Sequence, residues 1–229
     1  EFLLTRSLLA ISKSNTIDRE EDLFYLKKPK LDWDMGEPIS LSFNDRYFYK
    51  QDGLGESSYV FINGNDLTKR WKRLKKHESF TIGELGFGTG LNFLNVLKEW
   101  KTFQREAKLN FISIERFPLA LEDLEKALAN FPDLNYETKD LLQLYPPLSR
   151  GFHRINFEED NVSLTLIFDD VDRGLDDLQK TTKTFDAWFL DGFSPRENPK
   201  MWSSKILSGI SNLSHSETTL SSFSAASII

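Results

Sequence analysis

A glycine-rich turn provides the first guide to the fold of this chain. Residues Glu84–Gly90 read E-L-G-F-G-T-G, and they join an apolar stretch, Phe80–Leu85, to a segment with helical periodicity, Leu91–Trp100. Glycine adopts backbone conformations that other residues avoid, and it lets a ligand approach the main chain closely. In open α/β sheets, ligands bind beyond the carboxyl ends of the strands. The turn therefore predicts a ligand site at the end of a buried strand.

Strands and helices alternate through the rest of the chain. This order predicts an α/β fold with an open, mostly parallel sheet and flanking helices. Partial alternation of apolar and polar residues over Ile39–Tyr49 predicts a small β-hairpin before the sheet, and a basic helix is expected over Asp66–Lys76. The other expected elements are strands at Leu109–Ile114, Phe152–Phe157, Val162–Phe168, Phe185–Leu190 and Thr218–Ser224, and a helix at Leu119–Asn130.

The expected elements divide the chain into three regions. Residues 1–30 are polar and irregular, and we expect a poorly ordered N-terminal arm there. Residues 31–79 form an N-terminal extension that contains the β-hairpin and the basic helix. Residues 80–229 form the Rossmann-like domain that contains the parallel sheet.

Acidic residues follow several of the expected strands. Glu84, Glu115, Asp170 and Asp191 lie at or just after strand ends. Because the carboxyl ends of parallel strands meet at one edge of a sheet, we expect these side chains to converge on one crevice. A carboxylate at the position of Glu115 can accept hydrogen bonds from ribose hydroxyls. Asp170 is expected at an adenine, with Asp169 left open as the alternative because one residue of register separates them.

The glycine spacing separates two kinds of nucleotide-type site. A dinucleotide fingerprint is G-x-G-x-x-G, and Leu91 stands where its third glycine belongs. An acid followed by G-x-G-x-G instead resembles the first motif of class I S-adenosylmethionine-dependent methyltransferases. In that interpretation Gly86, Gly88 and Gly90 pass beneath the ligand, and Glu84 meets its α-ammonium group directly or through water. A plain strand-to-helix turn is the alternative.

Composition excludes several other classes of site. The 229 residues include no cysteine and three scattered histidines, so disulfides, thiol catalysis and a Cys/His metal site are not expected. No apolar stretch approaches the roughly 20 residues of a membrane span, and the N-terminus lacks the pattern of a secretory signal. The absence of cysteine is compatible with a cytoplasmic location. We therefore expect no metal ligand and no membrane contact.

Two cation-rich segments stand out from a formal net charge of −6. Lys69–Lys76 has six cations in eight residues, and Lys27–Lys30 has three in four. Each segment is either a solvated surface or a phosphate-binding patch. Trp71, within the first segment, is the best placed tryptophan for stacking on a base, although tryptophans more often belong to the core.

Longer segments narrow the resemblance to one family. They resemble the methyltransferase half of the bacterial bifunctional enzyme that completes 5-methylaminomethyl-2-thiouridine in tRNA, and the resemblance covers roughly residues 31–226. The segments that carry it are Asp52–Glu56, Val60–Leu67, Glu84–Leu94, Asp186–Pro195 and Asn198–Trp202.

The resemblance implies a reaction, a cofactor and partners. It implies methylation of the 5-aminomethyl group of the wobble uridine in tRNA with S-adenosyl-L-methionine, and it implies that Glu56 reaches over the cofactor or the acceptor. Bifunctional members also carry a flavin-dependent oxidase, for which this sequence has no motif, so no FAD is expected in this chain. A separate FAD-dependent oxidase is a possible partner.

The reaction points to Asp191 as the catalytic residue. An alkylamine must lose a proton before its lone pair can attack a methyl carbon, and a nearby carboxylate can hold one N–H and take up developing charge. Asp191 ends a core strand beside the expected cofactor site, and Phe193 and Pro195 are expected to form a dry wall next to it. The alternative is that Asp191 caps the turn at Gly192.

The end of the sequence departs from the family pattern. The stretch Asn212–Thr218 stands where the family has a Pro-Gly-Gly turn, and the sequence ends at Ile229, before the last antiparallel strand pair of a seven-stranded sheet. We therefore expect the C-terminal strands to be missing and the fifth strand to be an uncovered edge. The alternative function is a catalytically silent module that binds tRNA or a partner. An oxidoreductase and an aminopropyltransferase are the other candidates.

Overall fold

A six-stranded sheet forms the centre of the computed structural model, which describes residues 26–103, 106–181 and 184–223. The strand order is β6-β7-β5-β4-β8-β9, and every neighbouring pair is parallel except β6 with β7. The strands are β4 (Ser79–Leu85), β5 (Lys108–Glu115), β6 (Gly151–Phe157), β7 (Val162–Phe168), β8 (Phe185–Leu190) and β9 (Ser214–Ser222).

This sheet confirms the predicted Rossmann-like α/β fold. The chain leaves β4 toward β5 on one side and places β8 on the other, so the strand order reverses beside β4. Ligands bind at such switch points. The antiparallel β6–β7 pair confirms the predicted second hairpin.

A separate three-stranded antiparallel sheet precedes the main sheet. It consists of β1 (Leu31–Asp34), β2 (Glu37–Ser40) and β3 (Asp45–Arg46). The predicted hairpin over Ile39–Tyr49 corresponds to β2 and β3, and β1 was not predicted. The expected N-terminal arm lies mostly outside the described residues, and residues 26–30 have no regular secondary structure.

Seven α-helices occur in the described parts of the chain. They are α1 (Gly53–Ser57), α2 (Leu67–Trp71), α3 (Leu91–Lys101), α4 (Leu121–Leu128), α5 (Asn135–Leu144), α6 (Val171–Gln179) and α7 (Ser204–Asn212). The helices predicted over Leu91–Trp100 and Leu119–Asn130 correspond to α3 and α4, with small shifts of their ends. A π-helix, Ser58–Asn63, continues α1, and 3₁₀ turns occupy Pro132–Leu134, Glu158–Asp160 and Pro199–Trp202.

The predicted basic helix over Asp66–Lys76 is shorter than expected. Helix α2 ends at Trp71, after which Arg73 and Leu74 make i→i+3 backbone hydrogen bonds of a turn. His77 has a positive φ of 66°, which a right-handed helix does not contain. Packing of Trp71 into the core fixes the first turns, and the following cations continue as an irregular loop toward β4.

Helices cover both faces of the sheet, and the side chains of β5 show the division. Phe111 belongs to a core cluster shared with α3, α4 and α5, whereas its neighbour Ile112 belongs to a second cluster shared with α6 and α7. Successive side chains of a strand point to opposite faces. The near-continuous apolar sequence of the strands follows from burial on both sides.

Two tryptophans are core residues. Trp71 is fully buried against the rings of Phe80 and Trp100, so of its two interpretations the core position is the observed one. Trp188 is 1% exposed and packs over Gly83, where a Cβ would lie 2.3 Å from its ring. Both side chains contribute apolar burial to the fold.

Strand β9 lies at one edge of the sheet. Within residues 184–223 it pairs with β8 alone. The guanidinium of Arg70 donates to the Thr219 hydroxyl over 2.8 Å, and the Asn65 amide donates to the Ser221 hydroxyl over 2.6 Å. These contacts connect the N-terminal extension to the edge strand. No helix in the described parts of the chain is long and apolar enough to cross a bilayer.

Candidate active site

A cavity of about 320 Å³ lies beyond the carboxyl ends of the central parallel strands. It is bounded by the glycine turn after β4, by the ends of β5, β7 and β8, and by the small sheet with α1. The predicted site residues on its wall are Glu56, Gly86, Gly88, Glu115, Asp170 and Asp191. Two further predicted residues, Glu84 and Gly90, lie next to this wall without forming it.

The glycine turn needs its unusual backbone. Gly86 has a φ of +95°, and a Cβ there would lie 2.5 Å from the carbonyl oxygen of Asp191. The ends of β4 and β8 therefore approach each other more closely than any larger residue allows. Gly90 has a φ of +74° immediately before α3, where Phe87 packs against it. Gly90 therefore allows the turn to adopt its backbone conformation and does not line the cavity.

One side-chain amide at the cavity wall connects two carboxyl groups. The Nδ2 atom of Asn92 donates to Oε1 of Glu84 over 3.0 Å and to Oδ2 of Asp191 over 2.6 Å. Asn92 is 6% exposed and lies in the first turn of α3. Asp191 lines the cavity. Glu84 is 1% exposed and does not line it, but it accepts a hydrogen bond from Asn92, which does.

The orientation of Asn92 is set from the N-terminal extension. The Ser57 hydroxyl, at the end of α1, donates to Oδ1 of Asn92 over 2.7 Å. That hydroxyl also lies 3.2 Å from Nδ2 of Asn95, which donates to it. With Oδ1 accepting from Ser57, the two N–H groups of Asn92 must face the carboxyl groups. Sequence analysis did not single out Asn92, although a polar residue on the buried face of a helix is a recognisable signal.

Burial shifts the protonation of both carboxyl groups. It raises the pKa of Glu84 to about 8, against the lowering effect of hydrogen bonds from Ser113 and Asn92. It raises the pKa of Asp191 to about 7, against the lowering effect of Asn92. A carboxyl group with a pKa near neutrality is suited to exchange a proton at physiological pH.

Glu115 lies at the end of β5 and is held by backbone N–H groups. Its Oε2 accepts from the Gly88 nitrogen over 3.0 Å, and its Oε1 accepts from the Phe117 nitrogen over 2.7 Å. Burial raises its pKa, and these backbone hydrogen bonds lower it. Glu115 is thus fixed by the backbone at the wall of the cavity.

Asp170 and Asp169 occupy different surroundings. Asp170 lines the cavity, and its carboxylate lies 3.1 Å from Nε of Arg116. Asp169 does not line the cavity, and its Oδ1 accepts from the Asp170 nitrogen and pairs with Nε of Arg173 at 3.0 Å. This arrangement favours Asp170 between the two alternatives for an adenine.

Aromatic rings from three separate segments form another wall of the cavity. Phe43 stacks on Phe193 with centroids 4.6 Å apart, and Tyr47 meets Phe193 edge-on at 5.4 Å. Phe117, after β5, lies 6.0 Å from Phe43. Sequence analysis expected Phe193 in a dry wall but missed the other three rings, because their segments are far apart in the chain. Pro195 does not line the cavity.

Comparisons with known proteins agree with this geometry. A family model described as S-adenosyl-L-methionine-dependent methyltransferase matches residues 132–229. A protein of Marinomonas sp. is 42% identical over 211 residues, which are 90% of this chain and 30% of that protein. A protein of Marinobacter nauticus is 45% identical over 204 residues, which cover 87% of this chain and 32% of that protein. Both are named tRNA 5-methylaminomethyl-2-thiouridine biosynthesis bifunctional protein MnmC.

The chain is thus similar to S-adenosyl-L-methionine-dependent methyltransferases over residues 132–229, and to the two MnmC proteins over most of its own length. The resemblance expected from the sequence is confirmed. The chain spans about a third of the length of the curated relatives that it matches. Its fold agrees with a crystal structure of MNMC2 from Aquifex aeolicus, with a TM-score of 0.67 and 21% identity over 97% of this chain and 72% of that one.

Proposed function

We propose that this methyltransferase N-methylates the 5-aminomethyl group of the wobble (2-thio)uridine in tRNA, giving 5-methylaminomethyl-2-thiouridine. The observation that carries the proposal is the position of Asp191, a carboxyl group on the wall of the cavity in a chain 42% and 45% identical to two proteins named for the biosynthesis of that nucleoside. The pyrimidine ring of the acceptor fits the aromatic wall around Phe193, since bases stack on aromatic side chains.

The cavity residues fit the groups of S-adenosyl-L-methionine. Glu115 is assigned to the two ribose hydroxyls, and Asp170, which also pairs with Arg116 and Arg173, is assigned to the amino group of adenine. The backbone at Gly86 and Gly88 leaves room for the amino acid portion, whose α-ammonium group is assigned to the carboxyl group of Glu84, directly or through water. Glu56 lines the cavity from α1 and is assigned to the cofactor or the acceptor. When bound, the cofactor supplies an electrophilic methyl carbon.

Asp191 performs the proton chemistry in this proposal. In its ionised form the carboxylate accepts an N–H from the acceptor amine and so aims the nitrogen lone pair into the cavity. The new nitrogen–carbon bond would replace the methyl–sulfur bond of the sulfonium, whose electron pair would stay on sulfur as a neutral thioether. The nitrogen becomes positively charged as this happens, and Asp191 stabilises this charge and takes one proton from it. Asn92 keeps the carboxylate in one orientation during this step. Alignment of the acceptor and the methyl donor in a confined cavity contributes the remainder of the rate enhancement.

The proposed partners follow from the proposed reaction. The tRNA must already carry an aminomethyl group, and we propose that an FAD-dependent oxidase, separate from this domain, prepares it. Because mature tRNA functions in the cytoplasm, the proposal places the protein there. The residues assigned to the reaction include no metal ligand, and no His/Cys/Asp/Glu group suited to a metal ion occurs in residues 26–103, 106–181 and 184–223.

The test measures transfer of a labelled methyl group from S-adenosyl-L-methionine to tRNA that carries 5-aminomethyl-2-thiouridine. Wild-type protein is expected to label that nucleoside, and Asp191→Asn is expected to lose at least about 100-fold in rate, the usual contribution of a general base, while calorimetry shows retained cofactor binding. Cofactor and tRNA binding without any transfer by the wild type would instead support the silent module. An Asp191→Asn variant with unchanged turnover would reject the assigned role.

A further inference from the structure

Two groups of exposed cations lie at opposite ends of the central strands. We call Lys27, Lys28 and Lys30 the rim lysines, and Lys72, Arg73 and Lys75 the distal cations. Every member of both groups is exposed. The two groups have equal formal charge, so charge alone does not distinguish their roles.

The rim lysines are chain neighbours of a residue on the cavity wall. Pro29 lines the cavity wall, and Lys28 and Lys30 flank it, with adjacent Cα atoms about 3.8 Å apart along the chain. The segment is held at both ends: Leu26 packs against the main core, and the carbonyl oxygen of Lys30 accepts from the Leu41 nitrogen over 2.9 Å. The exposed ammonium groups are therefore carried by an anchored backbone beside the cavity.

The other cations of the cavity wall are already neutralised by carboxylates. Arg46 lies 2.6 Å from Asp34, and Arg116 lies 3.1 Å from Asp170. Lys200 also approaches Asp170, at 3.8 Å. The rim lysines make no ion pair with a carboxylate of residues 26–103, 106–181 or 184–223. Within these described residues, the rim lysines are thus cations beside the cavity that no carboxylate neutralises.

The distal cations face another part of the surface. They precede β4, whose seven residues span about 23 Å, and the cavity begins beyond the far end of this strand. Their neighbours in the same cluster serve the fold, because Lys76 pairs with Glu106 and Arg70 holds β9. This position favours the interpretation of Lys69–Lys76 as a solvated surface.

We propose that the rim lysines bind backbone phosphates of the RNA strand whose nucleotide enters the cavity. This inference rests on the proposed function and names the surface that its substrate uses. Three lysine charges that neutralise phosphates here offset locally the net negative charge of the protein, which would otherwise repel RNA.

The experiment compares two triple variants with the same loss of charge. Lys27, Lys28 and Lys30 are replaced by glutamine in one, and Lys72, Arg73 and Lys75 in the other. Binding of the acceptor tRNA is measured over a range of KCl concentrations. Each single-strand phosphate contact contributes about 0.7 to the slope of log K against log salt, so the rim variant is expected to lose about 2 from this slope. Its affinity at 0.1 M salt is expected to fall roughly 10- to 100-fold.

The distal variant is expected to keep the slope and the affinity of the wild type, because charges more than about 10 Å from the ligand are screened at this salt concentration. Calorimetry with S-adenosyl-L-methionine verifies that the cavity is intact in both variants, and the single variant Lys28→Gln provides a milder version of the change. At saturating tRNA the rim variant should keep the turnover of the wild type with a higher KM.

Three results would overturn the rim proposal: an unchanged salt slope in the rim variant, an equal loss of slope in the distal variant, or a wild-type chain that binds no tRNA. Failure of the proposed function gives a different result, namely salt-dependent tRNA binding through the rim lysines with no methyl transfer. The two proposals are therefore judged separately by binding and by turnover.

Discussion

Asn92 determines how the carboxyl groups of the site behave. Its amide donates to Glu84 and to Asp191, and its orientation is set by Ser57. Both hydrogen bonds lower carboxyl pKa values that burial raises. Asn92 is a positioning residue in this arrangement, since it acts on the reaction through Asp191.

Asn92→Ala is expected to move the pH dependence of methyl transfer upward. The proposed base must be ionised, so turnover should rise with pH through the Asp191 pKa of about 7 in the wild type. Without the donor from Asn92 this pKa rises, and turnover at pH 7 should fall by about tenfold or more, with partial recovery at higher pH. The measurement is kcat as a function of pH.

Asn95→Ala is the matched control. Asn95 lies on the same buried face of α3 but donates to Ser57 and Ser58 and contacts neither carboxyl group. Its variant should keep the pH dependence of the wild type, even if it unfolds at a lower temperature. Coincident pH profiles for Asn92→Ala and wild type would contradict the positioning role.

The small N-terminal sheet contributes to the site as an element. The loop between β2 and β3 carries Phe43, which stacks on Phe193 in the loop after β8, and Oδ2 of Asp45 accepts from the Ser194 nitrogen over 3.4 Å. The same β8 loop begins with Asp191. The N-terminal extension thus restrains the segment that carries the proposed catalytic carboxyl group.

Phe43→Ala is expected to loosen this segment. Loss of one stacked aromatic pair is worth about 0.5–1.5 kcal/mol beyond its buried area, so amide exchange in residues 191–198 should become roughly two- to tenfold faster. Hydrogen exchange with mass spectrometry measures it. Leu41→Ala serves as the control, because Leu41 lies in the same loop and is 59% exposed. Equal exchange rates in the two variants would show that the stack does not restrain the loop.

At the scale of the whole molecule, the buried carboxyl groups couple stability to pH. Glu84 holds its proton in the folded state up to a pKa of about 8, whereas in the unfolded chain it ionises near 4.5. Between these values the folded state binds more protons, so the free energy of unfolding decreases as pH rises. Above about pH 8 the contribution of this group is constant.

Glu84→Gln is expected to reduce this pH dependence. Glutamine cannot ionise but can still form hydrogen bonds at this site, so the decrease in unfolding free energy between pH 5 and 8 should become shallower by up to about 1.4 kcal/mol per pH unit. Urea unfolding at several pH values measures it. Glu122→Gln, at an exposed position on α4, is the control and should follow the wild type. Parallel curves for Glu84→Gln and wild type would show that Glu84 is ionised in the folded protein.

Local sequence pattern was sufficient for the sheet and for part of the site. Buried strands with helices between them have recognisable apolar runs, and strand ends in a parallel sheet share one edge, so the pattern alone places Glu115 and Asp191 at the cavity. The helices α5, α6 and α7 were not predicted, because their apolar periodicity is interrupted by polar and charged residues. The end of α2 depends on the burial of Trp71, which its cationic neighbours do not reveal.

Contacts between distant segments required the folded chain. The bridge from Asn92 to Asp191 joins residues 99 positions apart, and Phe43 meets Phe193 from a segment far away in the sequence. The two cationic segments look alike in sequence, yet one borders the cavity and the other precedes the far end of β4. Periodicity and turn chemistry report only on neighbours along the chain, whereas pKa values, cavity walls and charge placement depend on which segments pack together.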